Sequence, residues 1–355
     1  MKRHHDEATV AAPAAAAREP IPFAPLPTAT CAEEMPCVPA AATALEHLPG
    51  APRLSVIVIA YRMPRQAMNT LRSLDAGYQR GVTPADYEVL VVENESAEML
   101  DAAEVQALGP QFRYYARREV EPTPVHAINY AASLARANMI AVMIDGARLL
   151  SPGVISYTLA AQRLTRDAII AVPGYHLGEK LQQEAMLAGY DETLEQQLLE
   201  RIGWPADGYR LFEISCLSGT SAGGWFKPMG ESNFVAVSRE LWHRLGGFDP
   251  RFNETGGGQV NLDFYKRACE LPDTVPVILA GEGSFHQFHG GITTGQAGEK
   301  RRAIMAAHFA QYAGLRGGPY KPPEKRPIVF GAFPDNAMKT VEHAARTVRM
   351  ARGEV

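Results

Sequence analysis

Short apolar runs alternate along this chain with longer segments of helical periodicity. Leu54–Ala60, Tyr87–Val92 and Met139–Ile144 are nearly continuous runs rich in β-branched residues, which is typical of strands buried on both faces of a parallel sheet. Between the second and third runs, Ala127–Ala137 predicts a helix. We therefore predict an α/β fold with a Rossmann-like, mostly parallel sheet flanked by helices, whose strands end along one shared edge.

The pattern changes after Asp145. Three further strands are predicted, at Ala168–Val172, Ser232–Val237 and Val275–Leu279. We interpret the last of them as an edge strand, because Pro276 has no N–H to donate to a sheet ladder. The polar stretch Gly178–Ile202 predicts a helical insertion, and Asn336–Arg352 predicts a basic terminal helix.

The composition narrows the classes of partner and compartment. The 355 residues are 46% hydrophobic and carry a formal net charge of -4, so a nucleic acid partner is not expected. The four cysteines fit neither a zinc site nor a dense disulfide framework, which favours free thiols in a reducing compartment. No apolar run approaches the roughly 20 residues of a membrane-crossing helix. We expect a cytoplasmic protein and leave peripheral contact with a membrane open.

Four segments, in chain order, contain the candidate chemistry. The first, Ser55–Tyr61, contains a buried strand and the residue that follows it. At the strand end, free backbone groups and the Tyr61 ring are available to a ligand. A buried strand without any ligand role has the same pattern. The second, Val89–Ser96, places Glu93 at the end of the next strand. A carboxylate there is costly unless it is exposed at the edge of a site, which favours a ligand role for Glu93.

The third segment, Ile140–Arg148, places Asp145 directly after another buried strand. The fourth runs from Trp225 through Gly246–Pro250, whose sequence is Gly-Gly-Phe-Asp-Pro, to Asp263. A glycine-rich loop and a predicted helix follow the Gly-Gly-Phe-Asp motif.

His286 and His289 follow the last predicted strand in a loop flanked by glycines. Two histidines three residues apart can share one side of a tight turn, and neutral imidazole suits Mn²⁺ or Zn²⁺. Together with Asp145 they form a candidate Asp/His/His metal site. The alternative is that one histidine caps the turn and the other packs beneath the loop.

In this order the four segments resemble the inverting family 2 glycosyltransferases, which have the glycosyltransferase A fold. The resemblance covers roughly two thirds of the chain. It implies that a sugar moves from a nucleotide-diphosphate sugar to a hydroxyl acceptor, a saccharide or another alcohol, with inversion at the anomeric carbon. It also implies a divalent cation, Mn²⁺ or Mg²⁺, as cofactor.

The resemblance assigns donor-binding roles by position. Ala60 and Tyr61 would hold the nucleotide base, and Glu93 would contact the base or the ribose. Asp145 would hold the cation together with His286 or His289, as related enzymes often place a histidine there. Arg148 would offer its charge to the diphosphate or, equally, would be an exposed loop arginine.

Two motifs depart from the family pattern. The family normally has Asp-x-Asp where this chain keeps only Asp145, because Ala147 takes the place of the second carboxylate. The family also carries Glu-Asp, with the Asp as general base, where this chain has Gln259 and Val260. Asp263, one helical turn later, is the nearest substitute for that base.

Other residues of the fourth segment have two readings each. Asp249 and Glu254 are further candidates for the base, although Asp249 is more typical of a structural turn. Trp225 has the flat face that stacks on a sugar ring, so it would line an acceptor site unless it belongs to the core.

Two other functions stay open. The missing carboxylates also suit a protein that binds a nucleotide sugar, or acts as a scaffold, without turnover. Nucleotidyl transfer on a similar sheet is less favoured, because no glycine-rich phosphate loop with a basic residue follows the first strand.

The predicted domain organisation has three parts. They are an Ala/Pro-rich disordered leader at 1–52, a glycosyltransferase A domain at 53–298 and a C-terminal helical extension at 299–355. Within the domain we expect a nucleotide half at 53–150 and an acceptor half at 151–298, with the helical insertion at about 178–203.

Overall fold

A central sheet of eight strands runs through the part of the chain that the computed structural model describes, residues 50–291 and 298–354. Its strands, from one edge to the other, are β12 (Ile328–Gly331), β10 (Val275–Ala280), β6 (Ala168–Ala171), β9 (Val235–Ser238), β4 (Met139–Met143), β1 (Leu54–Ala60), β2 (Tyr87–Asn94) and β3 (Phe112–Arg117). Only β9 runs antiparallel to its neighbours in this sheet. The predicted α/β fold with a mostly parallel sheet is therefore confirmed. Most of the predicted leader lies outside the described residues, together with Cys31 and Cys37.

The apolar runs form strands because both faces of the sheet are covered. Side chains of a strand alternate between faces. In β1, Ile57 and Ile59 therefore point into one hydrophobic cluster, while Val56 and Val58 point into a second cluster on the opposite face. All seven residues of β1 are buried, which explains why six of them are apolar. The exception, Ser55, donates its hydroxyl hydrogen to Oε1 of Glu88 at 2.7 Å.

Helices cover the sheet. The described helices are α1 (Pro64–Ser73), α2 (Ala102–Ala107), α3 (Val125–Leu134), α4 (Val154–Ala161), α5 (Gln182–Ala185), α6 (Glu192–Arg201), α7 (Arg239–Leu245), α8 (Val260–Glu270), α9 (Gly298–Arg316) and α10 (Met338–Ala351). Local sequence sets several of their ends. For example, Ser238 caps the amino end of α7 through Leu241 N, and Gly246 takes the left-handed conformation at its carboxyl end.

A second, small sheet was not predicted from the sequence. Its strands, in order, are β5 (Arg148–Leu150), β11 (Ser284–His286), β7 (Gly174–Leu177) and β8 (Ser215–Leu217). Each strand has three or four residues, which is too short for a pattern of period two to stand out. This sheet contributes Arg148 and His286 to the site described below.

The structure corrects one detail of the sequence interpretation and adds to another. The predicted edge strand β10 lies inside the sheet, between β6 and β12. Pro276 is tolerated there because the pairing of β12 with β10 begins only at Val277. The stretch predicted as one helical insertion is broken into α5 and α6, with Gly189 in the left-handed region between them.

The C-terminal segment belongs to the same compact unit as the sheet. It contains β12 between α9 and α10, so it is not purely helical. No helix in residues 50–291 and 298–354 combines the length and the apolar character that crossing a bilayer would require.

Candidate active site

The ends of β1, β2 and β4 meet at one edge of the central sheet. Ala60 at the end of β1 pairs in register with Glu93 of β2, and Asp145 follows β4 by two residues. Gly146 lets this loop pass close to β1, since a Cβ there would lie 2.6 Å from the carbonyl oxygen of Ile59. The predicted donor residues Ala60 and Asp145 are therefore close in space.

Asp145 faces both histidines of the glycine-flanked loop. Its Oδ2 lies 2.9 Å from Nε2 of His286, and its Oδ1 lies 3.6 Å from Nε2 of His289. The two Nε2 atoms are 3.1 Å apart. The side chains of His286 and Asp145 are 3% and 19% exposed, so the cluster is mostly removed from water. The structure thus brings the three predicted metal ligands together.

Gln182 on α5 fixes the tautomer of His286. Its Nε2 donates to the backbone oxygen of His286 at 3.0 Å, which turns its Oε1 towards Nδ1 of the same residue. Nδ1 therefore carries the proton, and Nε2 presents a lone pair towards Asp145. A second residue, His176 on β7, accepts a hydrogen bond from the Gln182 backbone N–H at 2.8 Å.

The geometry suits a cation between Asp145 and His286. A carboxylate oxygen and a nitrogen lone pair 2.9 Å apart repel each other unless positive charge lies between them. Ligand distances of ~2.0–2.2 Å place neighbouring ligand atoms ~3.0–3.5 Å apart, which is close to the observed separations. One carboxylate and two imidazoles, with a hydrogen-bonded partner on one ring, form a donor set that fits a divalent metal ion.

The charges of the cluster reinforce this arrangement. Burial opposes ionisation of Asp145, but His289, and His286 when it is protonated, hold the pKa of its carboxyl group well below the usual range. Burial and the charge of Arg148 lower the pKa of His286 to about 4, so its ring is neutral near pH 7. Burial also opposes a charge on His289, yet Asp145 outweighs it and raises the pKa of that ring.

Buried polar side chains of α1 hold both site loops. Thr70 Oγ1 donates to the oxygen of Gly146 at 2.7 Å and accepts from the backbone N–H of Arg148 at 2.9 Å. Asn69 donates to the side chain of Gln287 at 3.1 Å, and Gln66 donates to the oxygen of Phe288 at 2.7 Å. These bonds fix Asp145 and the histidine loop relative to each other.

Arg148 is a buried part of the cluster. It lies on β5 opposite His286 of β11, and its Nε is 3.5 Å from Oδ2 of Asp145. Only 9% of the residue is exposed, which excludes the alternative of a solvated loop arginine. Its charge is therefore available to an anion that approaches Asp145.

The remaining predicted donor residues differ in exposure. Tyr61 is 45% exposed, with the guanidinium of Arg62 above its ring at 5.1 Å. Arg62 has a φ of 55°, a strained value for a residue with a side chain, and such strain is often found at functional sites. Ala60 is fully buried, so only its backbone groups are available to a ligand.

Glu93 does not lie at an exposed edge, as its predicted role required. It is fully buried, and its Oε2 accepts from the Leu100 N–H at 2.9 Å and from the Tyr114 hydroxyl at 2.7 Å. Burial raises the pKa of this carboxyl group. The prediction of a base- or ribose-binding role is therefore corrected, because Glu93 holds β3 and the segment before α2 instead.

Asp263 does not have the freedom that a general base needs. It is 1% exposed, and its oxygens bind the guanidinium groups of Arg267 at 2.7 Å and Arg316 at 2.5 Å. Arg316 also binds Asp249, which is held by Arg251 as well. The prediction of Asp263 as base is corrected: it is the centre of an ion-pair network that attaches α9 to α8.

Trp225 belongs to the core. It is 2% exposed, its Nε1 donates to the oxygen of Leu279 at 2.8 Å, and its ring meets Phe333 edge to face at 4.9 Å. Neither face is available to a sugar, so the predicted acceptor-stacking role is corrected.

Sequence reasoning missed Gln182 and His176. His176 lies in a short strand of the small sheet, opposite His286, and Gln182 begins a helix of only four residues. Neither residue belongs to a recognisable motif, and they approach the site only through pairing between strands far apart in the chain.

Several solved structures are similar to this chain. Mannosyltransferase PcManGT from Pyrobaculum calidifontis, in complex with GDP-Man and Mn²⁺, is similar with 16% identity and a TM-score of 0.44, covering 83% of this chain and 69% of its own. S. aureus TarS is similar with 13% identity and a TM-score of 0.44, covering 74% of this chain, which spans 42% of the length of TarS. Its fragment 1–349 in complex with UDP-GlcNAc has 12% identity, a TM-score of 0.44, and coverage of 74% and 66%.

A comparison with curated proteins gives no match. Among protein families, the one described as glycosyltransferase like family 2 matches residues 52–261. The matched segment is more than half of the chain and contains Tyr61, Asp145 and Arg148. The chain therefore belongs to the glycosyltransferase-like family 2, as the resemblance of its four segments predicts.

Proposed function

We propose that this protein transfers a sugar from a nucleoside-diphosphate sugar to a hydroxyl acceptor, with inversion at the anomeric carbon. One observation carries the proposal: Asp145, His286 and His289 converge at the carboxyl edge of the sheet in a member of this family. Ligands of open α/β sheets bind at that edge. The buried positive charge of Arg148 beside the cluster suits an anionic ligand.

The three side chains would hold a divalent cation, Mn²⁺ or Mg²⁺, against the donor diphosphate. When bound, such a cation offsets the charge of the diphosphate and stabilises it as a leaving group. Arg148 would bind the same anion directly, and α1 would keep both loops in place through Thr70 and Gln66. The chain thus supplies preorganised charge where the leaving group forms.

The nucleoside would lie against the ends of β1 and β2. Tyr61 offers an exposed ring for stacking, and Ala60 offers backbone groups. A cavity of about 320 Å³ lies nearby between α1 and α2, with Pro64, Met68 and Leu100 among its lining residues. GDP-Man and UDP-GlcNAc, bound by the similar proteins above, are suitable first donors for a test.

In the proposed reaction the acceptor oxygen attacks the anomeric carbon from the side opposite the diphosphate. The bond to the diphosphate oxygen breaks with its electron pair, and the acceptor hydroxyl loses its proton. The chain contributes mainly by holding the two reactants in line.

A second candidate is a protein that binds a nucleotide sugar, or acts as a scaffold, without turnover. Two observations favour it: Ala147 stands in place of a second carboxylate, and the ion pairs of Asp263 leave the predicted base engaged. The two candidates share the donor site and differ only in whether a product forms.

Turnover assays separate these candidates. Release of nucleoside diphosphate from UDP-GlcNAc, GDP-Man and related donors is measured with Mn²⁺, with Mg²⁺ or with EDTA, using water and a panel of saccharides as acceptors. Cation-dependent release, with an inverted product by NMR, supports the transferase. Donor binding by calorimetry with no product in any combination supports the binding protein instead.

A further inference from the structure

A carboxylate that belongs to neither the Gly-Gly-Phe-Asp motif nor the glycine-rich loop lies beside the start of α8. Glu231 is half-buried in the segment before β9. Its Oε2 accepts from Nδ2 of Asn261 at 2.9 Å, and its Oε1 accepts from Oγ1 of Thr220 at 3.3 Å. Both partners are neutral, so each oxygen of Glu231 keeps a lone pair available for a proton.

The contact with Asn261 places Glu231 beside the position of the expected acidic pair. Asn261 lies in the first turn of α8, two residues after Gln259 and next to Val260, which stand where the resemblance places an acidic pair. Glu231, from the stretch before β9, therefore places a carboxylate beside the turn where the resemblance expects the acidic pair. The Oε1 of Gln259 and the Oδ1 of Asn261 are buried there without a hydrogen-bond partner among the described residues, which leaves acceptors for further donors.

A row of polar groups connects Glu231 with Asp145. Thr220 Oγ1 lies 3.3 Å from Oγ of Ser218. At Gly174 a Cβ would lie 3.1 Å from that Ser218 oxygen and 3.8 Å from Nη1 of Arg148, so both groups border the same small space. Arg148 in turn reaches Asp145.

The other carboxylates near this edge are engaged differently. Asp263 and Asp249 are bound by guanidinium groups, which occupy their carboxylate oxygens. Among the described residues, the Glu254 side chain has no hydrogen bond to α8, to Ser218 or to Thr220. Glu231 alone among these four combines neutral partners, partial exposure and proximity to Arg148.

We propose that Glu231 is the general base of the transfer, an inference that rests on the function proposed above. Its carboxylate takes the proton of the acceptor hydroxyl while that oxygen forms its bond to the anomeric carbon. The bond from the anomeric carbon to the diphosphate breaks at the same time, and the diphosphate leaves with the electron pair. Protonated Glu231 then returns its proton to water.

The test uses the full chain with Mn²⁺ and the donor that the panel above identifies, with water and the best saccharide as acceptors. Glu231→Gln removes the basic oxygen with little change of shape, and it is expected to lower kcat by 10²–10⁴-fold, the usual contribution of a general base. Calorimetric donor affinity should stay within about twofold, because Glu231 does not touch the donor site. Glu240→Gln, an exposed pair partner of Arg166, is the matched control and should retain full turnover.

Glu231→Ala adds a readout that a structural role would not give. Sodium formate supplied in solution should restore part of its turnover, because formate can take the proton in place of the missing side chain. Glu231→Gln with turnover within threefold of the wild type would overturn the assignment, as would Glu231→Ala that binds donor normally and gains nothing from formate. If Glu254→Gln loses turnover while Glu231→Gln retains it, the general base is Glu254 and not Glu231. A wild type that binds donor and never turns over would instead contradict the transferase itself.

Discussion

Gln182 and His286 are joined by two hydrogen bonds, one to the backbone and one to the ring. The amide nitrogen of Gln182 donates to the His286 carbonyl at 3.0 Å, and its oxygen accepts from Nδ1. Gln182 is fully buried, and its own backbone N–H binds His176. The helical insertion therefore sets which nitrogen of His286 faces Asp145.

Replacement of Gln182 should weaken cation binding. Gln182→Met keeps the volume and removes both hydrogen bonds, so His286 loses its fixed tautomer and orientation. Partners of this kind typically change metal affinity by 10–100-fold. Calorimetric titration with Mn²⁺ is expected to show a loss in that range, while Gln106→Met, at an exposed position of α2, should bind Mn²⁺ like the wild type. Equal affinity in both variants would show that Gln182 only packs against the loop.

The buried carboxyl group of Glu282 should make the free energy of unfolding depend on pH. This fully buried carboxyl group accepts hydrogen bonds from Tyr209 at 2.7 Å, from the Gly153 N–H at 3.1 Å and from Ser151. Burial raises its pKa from an ordinary 4.5 to about 7, and the hydrogen bonds from Ser151 and Tyr209 offset only part of that shift. Arg80, above the ring of Tyr209 at 4.9 Å, is the charged neighbour.

The sign follows from the raised pKa. The folded protein keeps a proton on Glu282 that the unfolded chain has already released, so stability falls as the pH rises from about 4.5 to about 7. Glu282→Gln has no charge to bury, and its advantage over the wild type should grow by up to about 3 kcal/mol between those limits. Denaturant unfolding at about pH 5 and about pH 8 measures it. Parallel pH profiles for the two proteins would contradict the assignment.

Asp263 should matter for stability rather than for turnover. Asp263→Asn leaves the guanidinium groups of Arg267 and Arg316 without their carboxylate, and breaking such a buried pair costs roughly 3 kcal/mol. We expect a lower free energy of unfolding in denaturant titrations, with kcat of the folded variant near that of the wild type. A loss of 10²-fold or more in kcat with unchanged stability would return Asp263 to the role of base.

The long strands and the location of the site could be predicted from the sequence because they depend on local patterns. Apolar runs such as Leu54–Ala60 mark strands buried on both faces, and parallel strands necessarily place Ala60 and Asp145 at one edge. His286 and His289 were recognisable from their spacing and their place after a strand.

The partners of each side chain could not be predicted, because they come from distant segments. The carboxylate of Asp263 meets Arg316 across 53 residues, and Trp225 meets the backbone of Leu279 across 54. In the sequence, Glu93 ends a buried strand like a ligand-binding acid, and Asp263 is the nearest substitute for the missing general base. Only their burial and their hydrogen-bond and ion-pair partners show that they join elements of the fold. The small sheet escaped prediction because its strands are too short for a clear period.

In the proposed function, Asp145, His286 and His289 hold a cation that in turn holds the donor diphosphate. Calorimetric binding of UDP and GDP, each with Mn²⁺ and with EDTA, tests it most directly in the wild type and in the double variant His286→Ala/His289→Ala. His243→Ala, at an exposed position of α7, is the control. We expect Mn²⁺ to strengthen binding of at least one nucleotide tenfold or more in the wild type and the control, and not at all in the double variant. Equal strengthening by Mn²⁺ in the double variant would contradict it.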